Sequence, residues 1–334
     1  MFNPESSRSA TGHNPDRREF LKTSVSCAAH LALLAAAAPA RAASVFGHAF
    51  GGVSAQEPWG RIQSVADGVW ALISTPLEDR TTLCNGGIIQ GSSGVLVIES
   101  CAGPQGASWL AAQARSLTGR WPDRVVLTHY HGDHTGGIAG FARPDGSPSI
   151  LATAATRHLV ARQDGQRDPP PAAERRAMLA GATILADSAP TTIDLGDREV
   201  RIVPREGHTA SDVTVEVDDP SVVFCGDLVW NRMFPNYVDA VPSRLTTHVR
   251  SLVRGRTTRY VPGHGPMADG ADIGRYLSLL DSVEAAARMA RENGLSAPDA
   301  ATQYSVPEPL GEWMLFSPRY YEVAISAWLR ELAG

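Results

Sequence analysis

Lysine is nearly missing from this chain: Lys22 is the only one among 334 residues, so almost every fixed positive charge is an arginine. The formal net charge is −5 and no basic cluster occurs, which excludes nucleic acid as the expected partner. Cysteine is scarce as well. Of the four, Cys27 lies near the N-terminus, and Cys84, Cys101 and Cys225 are too few and too odd in number for a disulfide scaffold. No apolar run reaches the ~20 residues that a bilayer-spanning helix requires, so no stable membrane anchor is expected. With 43% apolar and 19% charged residues the composition is that of a soluble globular protein, not of a disordered, collagenous or coiled-coil chain.

The first 42 residues stand apart. A basic stretch, Asp16–Lys22 ("DRREFLK"), precedes the alanine-rich run 25–38 and then the small residues of "APARAAS". That order matches a secretory signal, and the Arg17-Arg18 pair followed by Phe-Leu-Lys resembles a twin-arginine export signal. Residues 1–42 are therefore expected to be a twin-arginine signal peptide cleaved near Ala42, with a periplasmic destination. Cys27 has Ser24 three positions before it, which does not suit a lipoprotein. Cleavage would remove Lys22 with four arginines and only three acidic residues, leaving a more acidic, lysine-free chain. Residues 43–60 are Gly- and Ala-rich and predict a flexible arm. Residues 61–334 predict a single domain that includes a C-terminal helix.

Within that domain, short apolar strands follow one another at 68–74, 85–90 and 94–100, with Gly-Ser turns between them. A helix is predicted over 106–117 and a buried strand over 124–128. Further strands are expected at "SILAT", 192–203, 212–217, 221–226 and 258–261, and helices near 153–163, 171–180, 243–254, 271–292 and 318–332. Strands then helices occur twice, the pattern of two mixed sheets packed together with helices outside.

What the chain does have is "THYHGDHTGG", Thr128–Gly137, directly after the buried strand. His129 and His131 are two apart, so an extended segment points both to the same side. Gly132 permits a tight turn before Asp133 and His134. Imidazole and carboxylate at one strand end are the donors that bind zinc, iron or manganese. The plain alternative is a polar loop bathed in solvent.

The motif His129-x-His131-x-Asp133-His134 resembles the signature of the metallo-β-lactamase-fold hydrolases, an α/β class built as an αββα sandwich. The resemblance requires three more ligands at later strand ends. The sequence offers His208 in "EGHTASDV", Asp227 in "VVFCGDLVW" and His264 in "YVPGHGP". It implies that His129, His131 and His208 hold one divalent ion, that Asp133, His134 and His264 hold a second, and that Asp227 bridges them. Zinc is the first expectation, with iron or manganese also compatible with these ligands. Two such ions would share a water whose pKa falls to about 7, providing hydroxide for attack on an ester, lactone, thioester or amide-type bond of a small molecule. Asp133 is the expected catalytic residue, orienting that water.

The resemblance also narrows the branch. Zinc β-lactamases of the commonest type carry a cysteine where this chain has Asp227, and use a nearby lysine for the drug's carboxylate. A β-lactam hydrolase is therefore the alternative. An iron-dependent oxidoreductase acting on sulfur compounds and a non-catalytic binding protein are alternatives of other classes. If the substrate is anionic, Arg232 is the nearest candidate to bind it, and it reads equally as an ordinary surface arginine. Thr128, Thr209, Ser211 and Asp212 flank ligands and either bond imidazoles or satisfy their own loops. Glu99 stands where the family commonly has an aspartate. His158 and His248 lack partners and are expected outside the site. Finally, a "GSSG" hairpin joining the strands at 85–90 and 94–100 would set Cys84 opposite Cys101, unless a bulge separates them.

Overall fold

The computed structural model describes residues 51–164 and 170–333. The expected signal peptide and the first part of the arm lie outside them. Eight strands form one sheet in simple sequence order: Val53–Glu57 (β1), Gly60–Ala66 (β2), Val69–Ser74 (β3), Gly86–Gln90 (β4), Val95–Ile98 (β5), Arg124–Val126 (β6), Ser149–Thr153 (β7) and Thr183–Leu185 (β8). Five form the other: Thr191–Asp194 (β9), Glu199–Pro204 (β10), Val213–Val217 (β11), Val222–Trp230 (β12) and Arg259–His264 (β13), the last pairing with β12. Pairing is antiparallel from β1 to β5 and parallel from β5 to β8, while β12 and β13 run parallel, so both sheets are mixed.

Alternation within the strands explains why these sheets stack. In β4, Ile88 belongs to the core under the helices and Ile89 to the core between the sheets; in β5, Val95 and Val97 face one way and Leu96 and Ile98 the other. In β12, Val222 and Phe224 face the first sheet, whereas Val223 and Cys225 face helices. Strands apolar on both faces must be covered on both. Helix Pro104–Thr118 covers the first sheet, and helices Pro242–Leu252, Gly270–Glu292 and Tyr320–Leu332 cover the second. The result is the expected αββα sandwich. The sheets approach so closely that a side-chain carbon on Gly87 would come within 2.1 Å of the Phe224 ring.

Part of the expected arm is a strand. β1 pairs with β2 across the Pro58-Trp59 turn, although its residues are mostly exposed and so lack the apolar pattern that would reveal an edge strand. The helix Ala297–Gln303, capped by the Ser296 hydroxyl, was likewise outside the expectation. Among the described residues, no helix is long and apolar enough to cross a membrane.

The hairpin register is the expected one. Gln90 lies opposite Val95 and Gly87 opposite Ile98, with the turn closed by Gly91 N–H donating to Gly94 at 2.9 Å. Beyond Ile98 the ladder ends, and Glu99 and Cys101 take left-handed backbone angles (φ 72° and 60°). Cys84 and Cys101 still meet, and burial with the neighbouring Cys101 thiol pushes the Cys84 thiol well up. Both are free thiols here, as is the buried Cys225.

Candidate metal centre

The seven candidate ligands come from the segment after β6, the β10–β11 connection, the interior of β12 and the end of β13. β6 leads into Thr128–His131, after which the short helix Gly132–Thr135 carries Asp133 and His134. His208 lies in the β10–β11 connection, Asp227 within β12, and His264 closes β13. Because β12 and β13 are adjacent and parallel, their ends deliver Asp227 and His264 to the same edge of the sandwich. Gly263 is obligatory there, since a side-chain carbon on it would fall 1.9 Å from the Asp227 carboxylate.

The seven converge as two overlapping sets. His131 Nδ1 lies 3.1 Å from His129 Nε2 and 3.0 Å from His208 Nε2. Asp227 Oδ2 is 3.3 Å from His208 Nε2 and 3.9 Å from His129 Nε2. In the other set, His264 Nε2 is 3.3 Å from Asp133 Oδ2, and His134 Nε2 is 3.6 Å from the same oxygen. Asp227 reaches this set through Oδ1, 3.1 Å from His134 Nε2, and through Oδ2, 3.4 Å from His264 Nε2. Donors on a tetrahedral zinc at ~2.0–2.1 Å from the metal are themselves about 3.3 Å apart, so these spacings are those of ligands around a shared cation.

Unsatisfied atoms support the same fit. His134 Nε2, His264 Nε2 and Asp227 Oδ1 are buried and make no hydrogen bond among the described residues. A buried polar atom left so is costly, and a metal ion satisfies all of them. The donor set suits zinc, iron or manganese. Asp227 is set for bridging, with Oδ2 close to both His208 and His264 and Oδ1 close to His134.

Electrostatics distinguishes the two halves. Burial pushes His129 well down and His208 down to about 4, which leaves both neutral. Burial also tends to lower His264, but Asp227 and Asp133 outweigh it and raise it to about 9. His134 goes well up for the same reason, with Glu99 contributing. Asp227 is held well below the ordinary carboxylate range because His264, His134 and His208 overcome its burial. Asp133 is the most open of the seven, its side chain 28% exposed.

The outer nitrogens of His129 and His134 have polar neighbours, whereas those of His208 and His264 bond no described residue. Glu99 accepts from the Thr128 backbone N–H at 3.3 Å and from the Thr128 hydroxyl, and lies 3.0 Å from His134 Nδ1. It does the work expected of the shorter aspartate, with its left-handed backbone turning the longer side chain inwards. Thr128 Oγ1 is also 3.1 Å from His129 Nδ1. Thr209, Ser211 and Asp212 instead bond one another: Asp212 accepts from the Thr209 backbone at 2.9 Å and its hydroxyl at 2.6 Å. They order the loop that carries His208.

Arg232 is not brought into this cluster. Its backbone is left-handed (φ 58°), its guanidinium lies beside Gly311, and it makes no ion pair with any of the seven. His248 bonds the Glu206 backbone away from the site.

One functional contact was invisible in the sequence. Asp239 Oδ2 lies 3.0 Å from His131 Nε2 and accepts a hydrogen bond from the Tyr130 hydroxyl. It fixes the tautomer that leaves Nδ1 free to bind metal. No motif surrounds Asp239, and 108 residues separate it from His131. Asp239→Asn should weaken metal affinity by about 10–100-fold while leaving the melting temperature of the metal-free protein nearly unchanged. Competition with a fluorescent chelator measures the first, and thermal denaturation the second.

Comparison with known proteins agrees with this geometry. The family model for the metallo-beta-lactamase superfamily matches residues 80–268, which include all seven ligands. A human acyl-coenzyme A thioesterase, MBLAC2, is 26% identical over 175 residues, covering 46% of this chain and 59% of that protein. The hydroxyacylglutathione hydrolase of Acidiphilium cryptum is 27% identical over 193 residues, covering 58% of this chain and 70% of the relative. Among solved structures, a metallo-beta-lactamase from Pontibacter korlensis superposes with a TM-score of 0.53 at 22% identity, over 66% of this chain and 98% of the other, a likeness of fold alone. Two stacked mixed sheets, seven donors at their shared edge and a family match over more than half its length place this chain in the metallo-beta-lactamase superfamily.

Proposed function

We propose that the chain is a dinuclear metal-dependent hydrolase of small-molecule thioesters or closely related esters. The observation that carries this is Asp227, whose carboxylate lies between the two ligand sets, Oδ2 near both His208 and His264 and Oδ1 near His134, in a site where all seven donors are present. Metal ions bound there supply Lewis acidity and acidify water towards neutrality. The chain's own part is to orient and to move a proton. Asp133, open to the substrate side and held ionised, is placed to accept a proton from attacking water and to pass it to the leaving thiolate. Two relatives of this chain are named as a thioesterase and a hydroxyacylglutathione hydrolase, and both names describe thioester hydrolysis.

A β-lactam substrate is less well served. The buried Trp230 lies against His264, and no lysine occurs among the described residues to bind a drug carboxylate. The test is a screen of zinc-loaded protein against acyl-coenzyme A and acyl-glutathione thioesters, p-nitrophenyl esters, lactones and a chromogenic cephalosporin. Thioester turnover should exceed that of the cephalosporin at least about tenfold in kcat/KM, a gap of ~1.4 kcal/mol in transition-state binding. Preference for the cephalosporin would overturn the reading, and iron retention with oxygen uptake would favour the sulfur oxidoreductase.

We further propose that the protein works in the periplasm after twin-arginine export, on the strength of Arg17-Arg18 and the apolar run behind them. Arg17→Lys combined with Arg18→Lys should trap the precursor in the cytoplasm. Normal periplasmic levels of the double variant would instead indicate general secretion.

A further inference from the structure

His264 differs from most of the other ligand histidines in what holds it. His129, His131 and His134 each have a side-chain oxygen within 3.1 Å of the ring nitrogen turned away from the cluster, supplied by Thr128, Asp239 and Glu99. The Nδ1 of His264 is buried and bonds no described residue. Trp230 packs against the ring, with centroids 4.0 Å apart, but offers no hydrogen bond to it.

The order lies in the backbone instead. After β13 the chain turns back over residues 262–267, a loop closed at its base by Tyr260 and Ala268, each N–H donating to the other's carbonyl at 2.9 Å. Two buried asparagines, Asn85 and Asn231, take up the carbonyl of every residue in that loop. The Asn85 side-chain amide donates to Pro262 at 2.9 Å and to Gly265 at 2.7 Å, and its backbone N–H donates to Gly263 at 2.8 Å. The Asn231 backbone N–H donates to His264 itself at 3.0 Å, and its side-chain amide donates to Pro266 at 3.2 Å and Met267 at 3.1 Å. The fit is close. Gly265 has a φ of 88°, and a side-chain carbon on it would fall 1.9 Å from the Asn231 carbonyl oxygen.

The two asparagines come from different sheets. Asn85 precedes β4, and its Oδ1 accepts from the N–H of Ser74 at the end of β3 at 2.9 Å, which ties it to the first sheet. Asn231 follows β12 in the second. Each side-chain amide spends its N–H donors on the loop. One side chain, Asn85, thus grips the backbone both before and after His264.

We infer that Asn85 and Asn231 are positioning residues that hold His264 for its metal through the backbone, in place of the imidazole partner it lacks. This rests on the two-metal reading above. Peptides fixed on both sides of a residue fix the direction of its Cα–Cβ bond, which leaves the ring only its side-chain torsions, bounded on one face by Trp230. Neither asparagine touches the metal position or takes part in bond breaking. Asp133 and His134 ride on a helix to which neither bonds, so the effect of the pair is confined to the His264 side of the centre.

The test is calorimetric zinc titration of the metal-free wild type, Asn85→Ala, Asn85→Asp and Asn231→Ala, with His264→Ala marking the step that depends on His264. Asn85→Asp keeps the size and the Oδ1 acceptor but loses both amide donors. Each asparagine variant should weaken the His264-dependent step by at least about tenfold and leave the other step within about threefold of the wild type. Leu110→Ala opens a cavity in the core under helix Pro104–Thr118 and controls for lost stability: it should lower the melting temperature and leave both steps unchanged. Circular dichroism establishes which variants fold. Equal weakening of both steps, no weakening in a folded variant, or failure of all three asparagine variants to fold would make the pair purely structural and overturn the inference. Stoichiometry is read separately. A wild type that binds one equivalent or none ends the two-metal reading. The inference then stands only if a remaining equivalent is weakened by both His264→Ala and Asn85→Asp, and falls otherwise.

Discussion

Asp227→Ala should leave a folded protein that binds one zinc ion where the wild type binds two and turns over its substrate at least about 100-fold more slowly. Residues that merely orient ligands already cost about 10–100-fold when removed, and Asp227 reaches both ligand sets itself. The fold should survive because the carboxylate sits at the sandwich edge, whereas the sheets are held by apolar faces packed on both sides. Its removal has a second effect. His264 and His134 lose the anion that stabilises their protonated forms, so the vacated half-site becomes easier to deprotonate yet has one donor fewer. Asp227→Asn keeps the shape and one oxygen, and should fall between the two. Zinc content, circular dichroism and steady-state turnover measure the series. Wild-type turnover by Asp227→Ala would contradict a bridging role.

The affinity of the Asp133–His134–His264 half-site for zinc, measured on the metal-free protein, should rise steeply with pH, by about tenfold per unit for each proton displaced. Its direction follows from the imidazoles. A ligating histidine must be neutral at the binding nitrogen, and in the metal-free protein His264 holds its proton up to about pH 9, with His134 also raised. Metal must displace those protons at any pH below that value, so binding strengthens until about pH 9 and then levels off. From pH 6 to pH 8 the gain is about 100-fold from the His264 proton alone. The other half-site responds less. Burial keeps His129 and His208 neutral, and only His131, raised by Asp239 against its own burial, has a proton to lose. Calorimetric zinc titrations in buffers of different ionisation enthalpy separate the two steps and count the protons released. Equal pH dependence of both steps would contradict this asymmetry.

Much of the metal centre was legible in the sequence because each ligand follows a strand that periodicity identifies. His129 and His131 follow β6, Asp227 lies within the fully buried β12 and His264 closes the last strand. A strand end is a rigid place, so local pattern alone locates these side chains. Glu99 was legible for a related reason: it ends β5 next to β6, within reach of Thr128. Asp239 was not, because its partner is fixed only when the irregular segment after β12 folds back over the site. The packing of Phe316 against His264 was hidden in the same way. Phe316 reads as one apolar residue before a helix until the Met233–Met314 pairing brings it to His264. β1 was missed because exposed edge strands carry little apolar signal, and its pairing with β2 depends on a turn at Pro58-Trp59. Arg232 shows the opposite case. It is near Asp227 in sequence, but its left-handed backbone turns the guanidinium towards Gly311.

The central claim, that seven side chains form one centre for two metal ions bridged by Asp227, is tested most directly by titrating zinc into the metal-free protein at pH 8 and reading stoichiometry calorimetrically. The account predicts two equivalents for the wild type and one for Asp227→Ala. Saturation of the wild type at a single equivalent, or two equivalents retained by Asp227→Ala, would contradict it.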